Sequence, residues 1–148
     1  MSLLRKRQKA RRLLVQALYS WDLAGDDVCS IETHLRSEND FAKVDCELFS
    51  SILVGVVDNV ARIDGAYEPH LDRDQHQLDP ISKAILRIST FELVNRIDVP
   101  FKVVINEAIN LAKTFGPADA FKFINAVLEG VAENFRASEL FRGSARGG

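Results

Sequence analysis

The chain has 148 residues, 19 Lys and Arg against 21 Asp and Glu, 47% hydrophobic and 27% charged residues, a balance that suits a globular domain large enough to bury its own core. Two cysteines without CxxC spacing (Cys29, Cys46) and three scattered histidines (His34, His70, His76) argue against a disulfide scaffold or a zinc site and fit a reducing cytoplasm. No apolar run approaches the roughly 18 residues of a membrane helix, and Gln16, Tyr19, Ser20 and Asp22 interrupt the stretch that otherwise imitates a signal peptide.

In chain order, apolar spacing predicts helices nearly throughout and no strand. The first covers about residues 3–23 and opens on Arg5-Lys6-Arg7-Gln8-Lys9-Ala10-Arg11-Arg12, with no acidic residue before Asp22. Those eight positions hold six of the basic residues, so the rest of the chain carries 13 basic and 21 acidic residues, a balance of −8. A second helix spans about 28–38, and a third starts at the N-cap Asp45 and runs through Leu48, Ile52, Val56 and Val60 to Ile63. A polar segment, 72–79, divides the chain internally. Asp79-Pro80 then pairs a capping Asp with Pro at the first helical position, opening a helix to about 95 that is apolar on more than one face and should be central. Another helix ends at Gly116, and the last covers about 118–135. The expectation is an all-α chain of about six to seven helices in two packed helical subdomains. Residues 1–136 form a single domain subdivided near 72–79, with a flexible tail over 137–148.

At 3.6 residues per turn, Ala10, Leu14, Ala17, Leu18 and Trp21 share the buried stripe of the first helix. Arg5, Gln8, Lys9, Arg12, Gln16 and Tyr19 lie opposite. That face offers cations for phosphates, an amide for a base edge and a ring for stacking. A solvated surface does not require the absence of acids, and cations at a helix N-terminus are unfavourable by roughly 0.3–1 kcal/mol, so the pattern points to a polyanionic partner. In the last helix Phe123 lies off the apolar stripe beside Lys122. Spacing leaves two roles open for it, stacking on an RNA base or packing on a neighbouring helix.

Four strings taken in order, Val15-Gln-Ala-Leu-Tyr-Ser-Trp21, Ala84-Ile-Leu-Arg-Ile-Ser-Thr-Phe-Glu-Leu93, Val99-Pro-Phe-Lys-Val-Val-Ile-Asn-Glu-Ala-Ile-Asn-Leu-Ala-Lys113 and Lys122-Phe-Ile-Asn-Ala-Val-Leu128, closely resemble the NusB family of bacterial transcription antitermination factors. The resemblance implies an all-helical RNA-binding factor that binds the single-stranded boxA segment of nascent ribosomal RNA together with NusE, a small-subunit ribosomal protein. It further implies assembly of an antitermination complex on RNA polymerase. Carried over by position, Arg5, Lys6, Arg7, Lys9, Gln16, Tyr19, Lys122 and Phe123 are the RNA-binding residues, and the helix projection adds Arg12 to them. Ile81, Ser82 and Arg87 are placed at the NusE contact, and Asp119 tempers RNA affinity by repulsion. The family usually has Gly where Ala126 stands, which implies slightly wider helix packing there.

No catalytic, metal or cofactor constellation is expected. The histidines lack partners at metal or triad spacing, Gly55, Gly65 and Gly116 form no phosphate loop, and Glu92 reads as a structural carboxylate paired with Arg or backbone donors. Two other readings stay open: a helical protein–protein adaptor, and a stand-alone module related to the N-terminal domains of RNA cytosine methyltransferases. A homodimer through the apolar surface that would meet NusE is likewise open.

Overall fold

The computed structural model describes residues 1–140, and among these, besides helical residues at 137–140, it contains seven α-helices: α1 (Leu3–Ala24), α2 (Val28–Glu38), α3 (Cys46–Asp58), α4 (Val60–Tyr67), α5 (Pro80–Asn95), α6 (Phe101–Phe115) and α7 (Ala120–Phe135). Side chains set most boundaries. Ser2, Asp27, Asp45 and Asp79 each accept a bond from the backbone N–H three residues on, as N-caps do. Gly25 closes α1 in the left-handed region at φ 70, where a side chain would be strained.

The single helix expected from Asp45 to Ile63 is two helices. Asn59, at φ −130, donates its side-chain amide to the Gly55 carbonyl at 2.9 Å, and this local bond competes with continuation of the backbone ladder. Residues 137–140, placed in the tail by the sequence, are helical instead. The rest of that expected tail, 141–148, lies outside the described residues.

α5 occupies the middle of the molecule and packs against α1, α3, α4, α6 and α7. From Ser82 to Leu93 every residue except Lys83 is buried, as its all-round apolar pattern requires. The approach of α3 is close enough that a Cβ at Gly55 would sit 2.1 Å from the Phe91 ring.

Three arginine clusters tie this core together. Arg11 of α1, 1% exposed, makes a forked pair with Glu92 of α5, Nη2–Oε1 at 2.8 Å and Nε–Oε2 at 3.0 Å. Glu92 is thus the paired structural carboxylate expected, with its partner on α1. Arg136, just beyond α7, donates to the backbone carbonyls of Glu92, Leu93, Arg96 and Val99. Those bonds satisfy the end of α5 and the turn after it, while Glu139 pairs with Arg136 and accepts from the Phe101 N–H that starts α6. At the third cluster, Arg7 meets Asp45 at 3.2 Å and Asp98 at 3.6 Å, and Arg96 joins Asp98 to Glu47.

Two outcomes follow. Glu92→Ala strands a buried guanidinium and should cost about 3–5 kcal/mol, whereas the apolar double replacement Arg11→Met with Glu92→Leu should recover most of that loss in urea unfolding. Equal destabilisation by the single and double variants would mean that the pair is not what α1 docks through. The second concerns acid. Burial alone would raise the Asp45 carboxyl, but the Leu48 N–H and Arg7 outweigh it and hold it below its ordinary 3.8, while the Arg96 hydrogen bond lowers Asp98. A depressed carboxyl contributes its stability above the unfolded value and loses it as pH falls through the folded one. The melting temperature should therefore drop below about pH 4, and Asp45→Asn should flatten that drop.

Candidate nucleic-acid interface

α1 separates its cations by rotation. Ala10, Arg11, Leu14, Val15, Ala17 and Leu18 are buried, so one member of the basic run points into the core. Trp21, expected in the stripe, sits at its margin with the Arg87 guanidinium 5.6 Å from its ring. Arg5, Arg12, Gln16 and Tyr19 are exposed, and Lys6 and Lys9 are half-buried. Arg7 differs from these, because Asp45 and Asp98 already match its charge. Gln8 is tethered to Glu107 of α6 at 3.1 Å.

Arg12 forms no ion pair among the described residues and stands on the ridge between two clefts of about 320 and 270 Å³. On one side it faces Lys43, from the turn before α3, together with Lys9 and Asn39. On the other it faces Lys113, Asn110 and Thr114 of α6. Lys43 and Lys113 were not picked out from the sequence, because each joins the cluster only through folding. Neither is ion-paired among the described residues, and Lys113 lies 4.8 Å from the ring of Phe121 on α7. The cationic surface thereby passes from α1 across α6 to the start of α7, where the Lys122 ammonium is 6.0 Å from the same ring. Asp40 also lines the first cleft and Glu107, which accepts from Gln8, the second, but cations outnumber acids in both, and ammonium and guanidinium groups with amides and hydroxyls beside them are chemically suited to phosphates.

The start of α7 carries two further features. Asp119 is the residue before α7, at φ 65, a left-handed conformation that Asp tolerates better than most side chains. Its carboxylate makes no cap bond and lies 3.6 Å from Lys122. Phe123 is half-buried on the other side, with the Arg73 guanidinium 4.3 Å above its ring. Part of this ring is therefore covered by the 72–79 segment, between the two roles that spacing had left open.

The residues placed at the partner contact separate. Ile81 is half-buried and lines an apolar groove of about 310 Å³ with Leu13, Tyr19 and Phe115. Ser82 is fully buried, and Arg87, 6% exposed, pairs with Asp64 at 2.9 Å and Asp22 at 3.3 Å. Neither offers its side chain to a partner, because α5 is enclosed on nearly every side. Ala126 is exposed, so its methyl group widens no helix packing. Among the described residues no three His, Cys, Asp or Glu gather as a metal site, and no helix is long and apolar enough to cross a membrane.

Comparison with known proteins agrees with this architecture. The structure is similar to a Thermotoga maritima NusB structure (described as "T. maritima NusB") with a TM-score of 0.79 at 26% identity, covering 92% of this chain and 96% of that one. It is also similar to a chain in a crystal structure described as antitermination factors NusB and NusE in complex with dsRNA, with a TM-score of 0.78 at 25% identity, covering 90% and 100% of the two chains. In sequence it is 50% identical over 133 residues to a transcription antitermination protein NusB of Alcanivorax borkumensis, covering 90% of this chain and 89% of that protein. It is 48% identical over 135 residues to the protein so named in Pseudomonas savastanoi pv. phaseolicola, covering 91% and 82%. The NusB family model matches residues 8–133, and the chain belongs to the NusB family.

Proposed function

We propose that this chain is a non-enzymatic, RNA-binding transcription antitermination factor. It binds the boxA segment of nascent ribosomal RNA as a single strand, jointly with NusE, and helps to assemble the antitermination complex on RNA polymerase. The observation that carries the reading is the convergence of Lys9, Arg12, Lys43 and Lys113, from α1, the turn before α3 and α6, none of them ion-paired among the described residues. Membership of the family supports the antitermination role, and a structurally similar relative described with both NusE and RNA supports the choice of partners. Exposed Tyr19 and Phe115, with Ile81 between them, give NusE an apolar groove beside the cations. A second copy of the chain would compete for that groove.

Charge reversal at Lys9→Glu with Arg12→Glu should abolish binding of labelled boxA RNA while circular dichroism stays helical. Lys43→Gln and Lys113→Gln should each lower the slope of log affinity against log salt by about 0.7, the counterion share of one phosphate on a single strand. Addition of NusE should tighten the wild-type complex. Undiminished RNA affinity in the charge-reversed variant would refute this surface as the site.

Asp119 supplies a separate test. The residue holds an anion beside Lys122 at the rim of the interface, and both groups are largely exposed, so the effect is small and screened by salt. Asp119→Asn keeps a side chain that accepts the left-handed backbone and should strengthen RNA binding by up to about fivefold at low salt. A weaker complex in that variant would show that the carboxylate assists binding.

A further inference from the structure

The cleft between α1 and α2 has a different character from the two beside Arg12. It has a volume of about 250 Å³, with Gln16 and Ser20 of α1, Asp26 of the connecting turn and His34 of α2 around its rim. Ile31 and Leu35, both buried, form the floor. The side chains of Gln16, Ser20, Asp26 and His34 have no hydrogen-bond partner among the described residues.

We propose that this cleft is a nucleobase subsite of the RNA interface, selective for guanine. The inference rests on the RNA-binding reading above. A phosphate does not suit the cleft: it has no Lys or Arg in its lining, and the Asp26 carboxylate repels an anion. A flat ring suits it, because the apolar floor takes the faces of a base and the polar rim takes its edge. The rim also selects among bases. A carboxylate only accepts hydrogen bonds, so Asp26 favours an edge that donates. Guanine presents an N–H and an amino group side by side, which two carboxylate oxygens accept together. Gln16, Ser20 and His34 supply the donors that its carbonyl and ring nitrogen require. Adenine and cytosine offer an amino group without the adjacent N–H, and uracil offers the N–H alone.

Position supports the assignment. Gln16 and Ser20 lie four and eight residues beyond Arg12 along α1, about 6 and 12 Å, so a strand held at Arg12 reaches the cleft within a nucleotide or two. Gln16 lines both this cleft and the neighbouring groove whose lining includes Arg12, so the cleft adjoins the cationic surface. The edge used here is the pairing edge, so the subsite reads a single strand. An RNA duplex gains only the phosphate contacts.

The test uses the whole chain and oligouridine strands carrying one guanine, adenine or cytosine at each position in turn, titrated at fixed salt. Guanine at one position should tighten binding about tenfold over uracil, with adenine and cytosine between them. Asp26→Asn and His34→Ala should bring that preference close to unity and leave the salt slope unchanged. Ser20→Leu, which fills the cleft, should remove it while circular dichroism reports an intact helical fold. Duplex RNA of the same length should respond to none of these changes. Salt-dependent binding with no position preferring guanine would overturn the subsite and leave the RNA-binding reading standing. A preference surviving both Asp26→Asn and Ser20→Leu would also overturn it. If no strand binds at all, both fall together.

Discussion

The forked pair between Arg11 and Glu92 sets the rotation of α1, and the interface depends on that rotation. Arg11 and Arg12 are adjacent in sequence and lie 100° apart around the helix, yet one is fully buried and the other faces solvent. A helix basic on so many sides has no electrostatic reason of its own to choose a face. Burying any one cation costs several kcal/mol unless a carboxylate meets it, and α5 places Glu92 against α1 at Arg11. Turning the helix by one residue in one direction would set Ala10 against Glu92 and leave it unpaired, and turning it in the other would set Arg12 there but push Arg11 into the buried site of Ala10 without a partner. The pair therefore acts against the wrong registers more than it adds to net stability, a role that buried ion pairs take in some folds. Glu92 is also held from its backbone side, since its carbonyl accepts from Arg136 at 3.1 Å. The orientation of the cationic face is thus connected to Arg136, just beyond α7.

Charge is sorted a second time at the surface. Arg7, one turn before Arg11, is matched by Asp45 and Asp98 and fastens the start of α1 to the first turn of α3 and the α5–α6 turn. Arg12 and its neighbours Lys43 and Lys113 form no ion pair among the described residues, although Asp40 and Glu107 line the same clefts. The matched cation anchors the helix, and the unmatched ones remain available at some cost to folding. That division appears only in three dimensions, because Asp45 and Asp98 are far from Arg7 in sequence.

Much of the fold was legible because it follows local rules. The caps at Asp45 and Asp79 have the chemistry and spacing of helix starts, and the all-round apolar pattern of α5 foretold a central helix. The break at Asn59 was not legible, because apolar spacing continues across it from Val56 to Val60 and Ile63 while one side-chain bond interrupts the backbone. The outward face of α1 was readable from projection alone. Arg7 turned out to be ion-paired, Lys43 and Lys113 were overlooked, and Ser82 and Arg87 were assigned to a partner contact although their side chains are buried. In each of these cases the deciding neighbour comes from another helix or a connecting turn, and helical spacing carries no information about it.

Lys122 shows how the same limit applies to aromatic residues. Phe121 and Phe123 flank it in sequence but lie about 200° apart around α7, so they cannot form one platform. Phe121 receives Lys113 and Lys122 on its ring and belongs to the bridge of cations that reaches back to Arg12. Phe123 receives Arg73 instead, and Arg73 is itself paired with Asp72 at 2.9 Å. A guanidinium lying on a phenyl ring is a planar group with a second face, and bases stack on such planes as they do on rings. The 72–79 segment therefore covers part of Phe123 with an ion-paired guanidinium. Spacing left stacking and packing both open for the phenyl ring, and in the folded chain the guanidinium of Arg73 covers part of it.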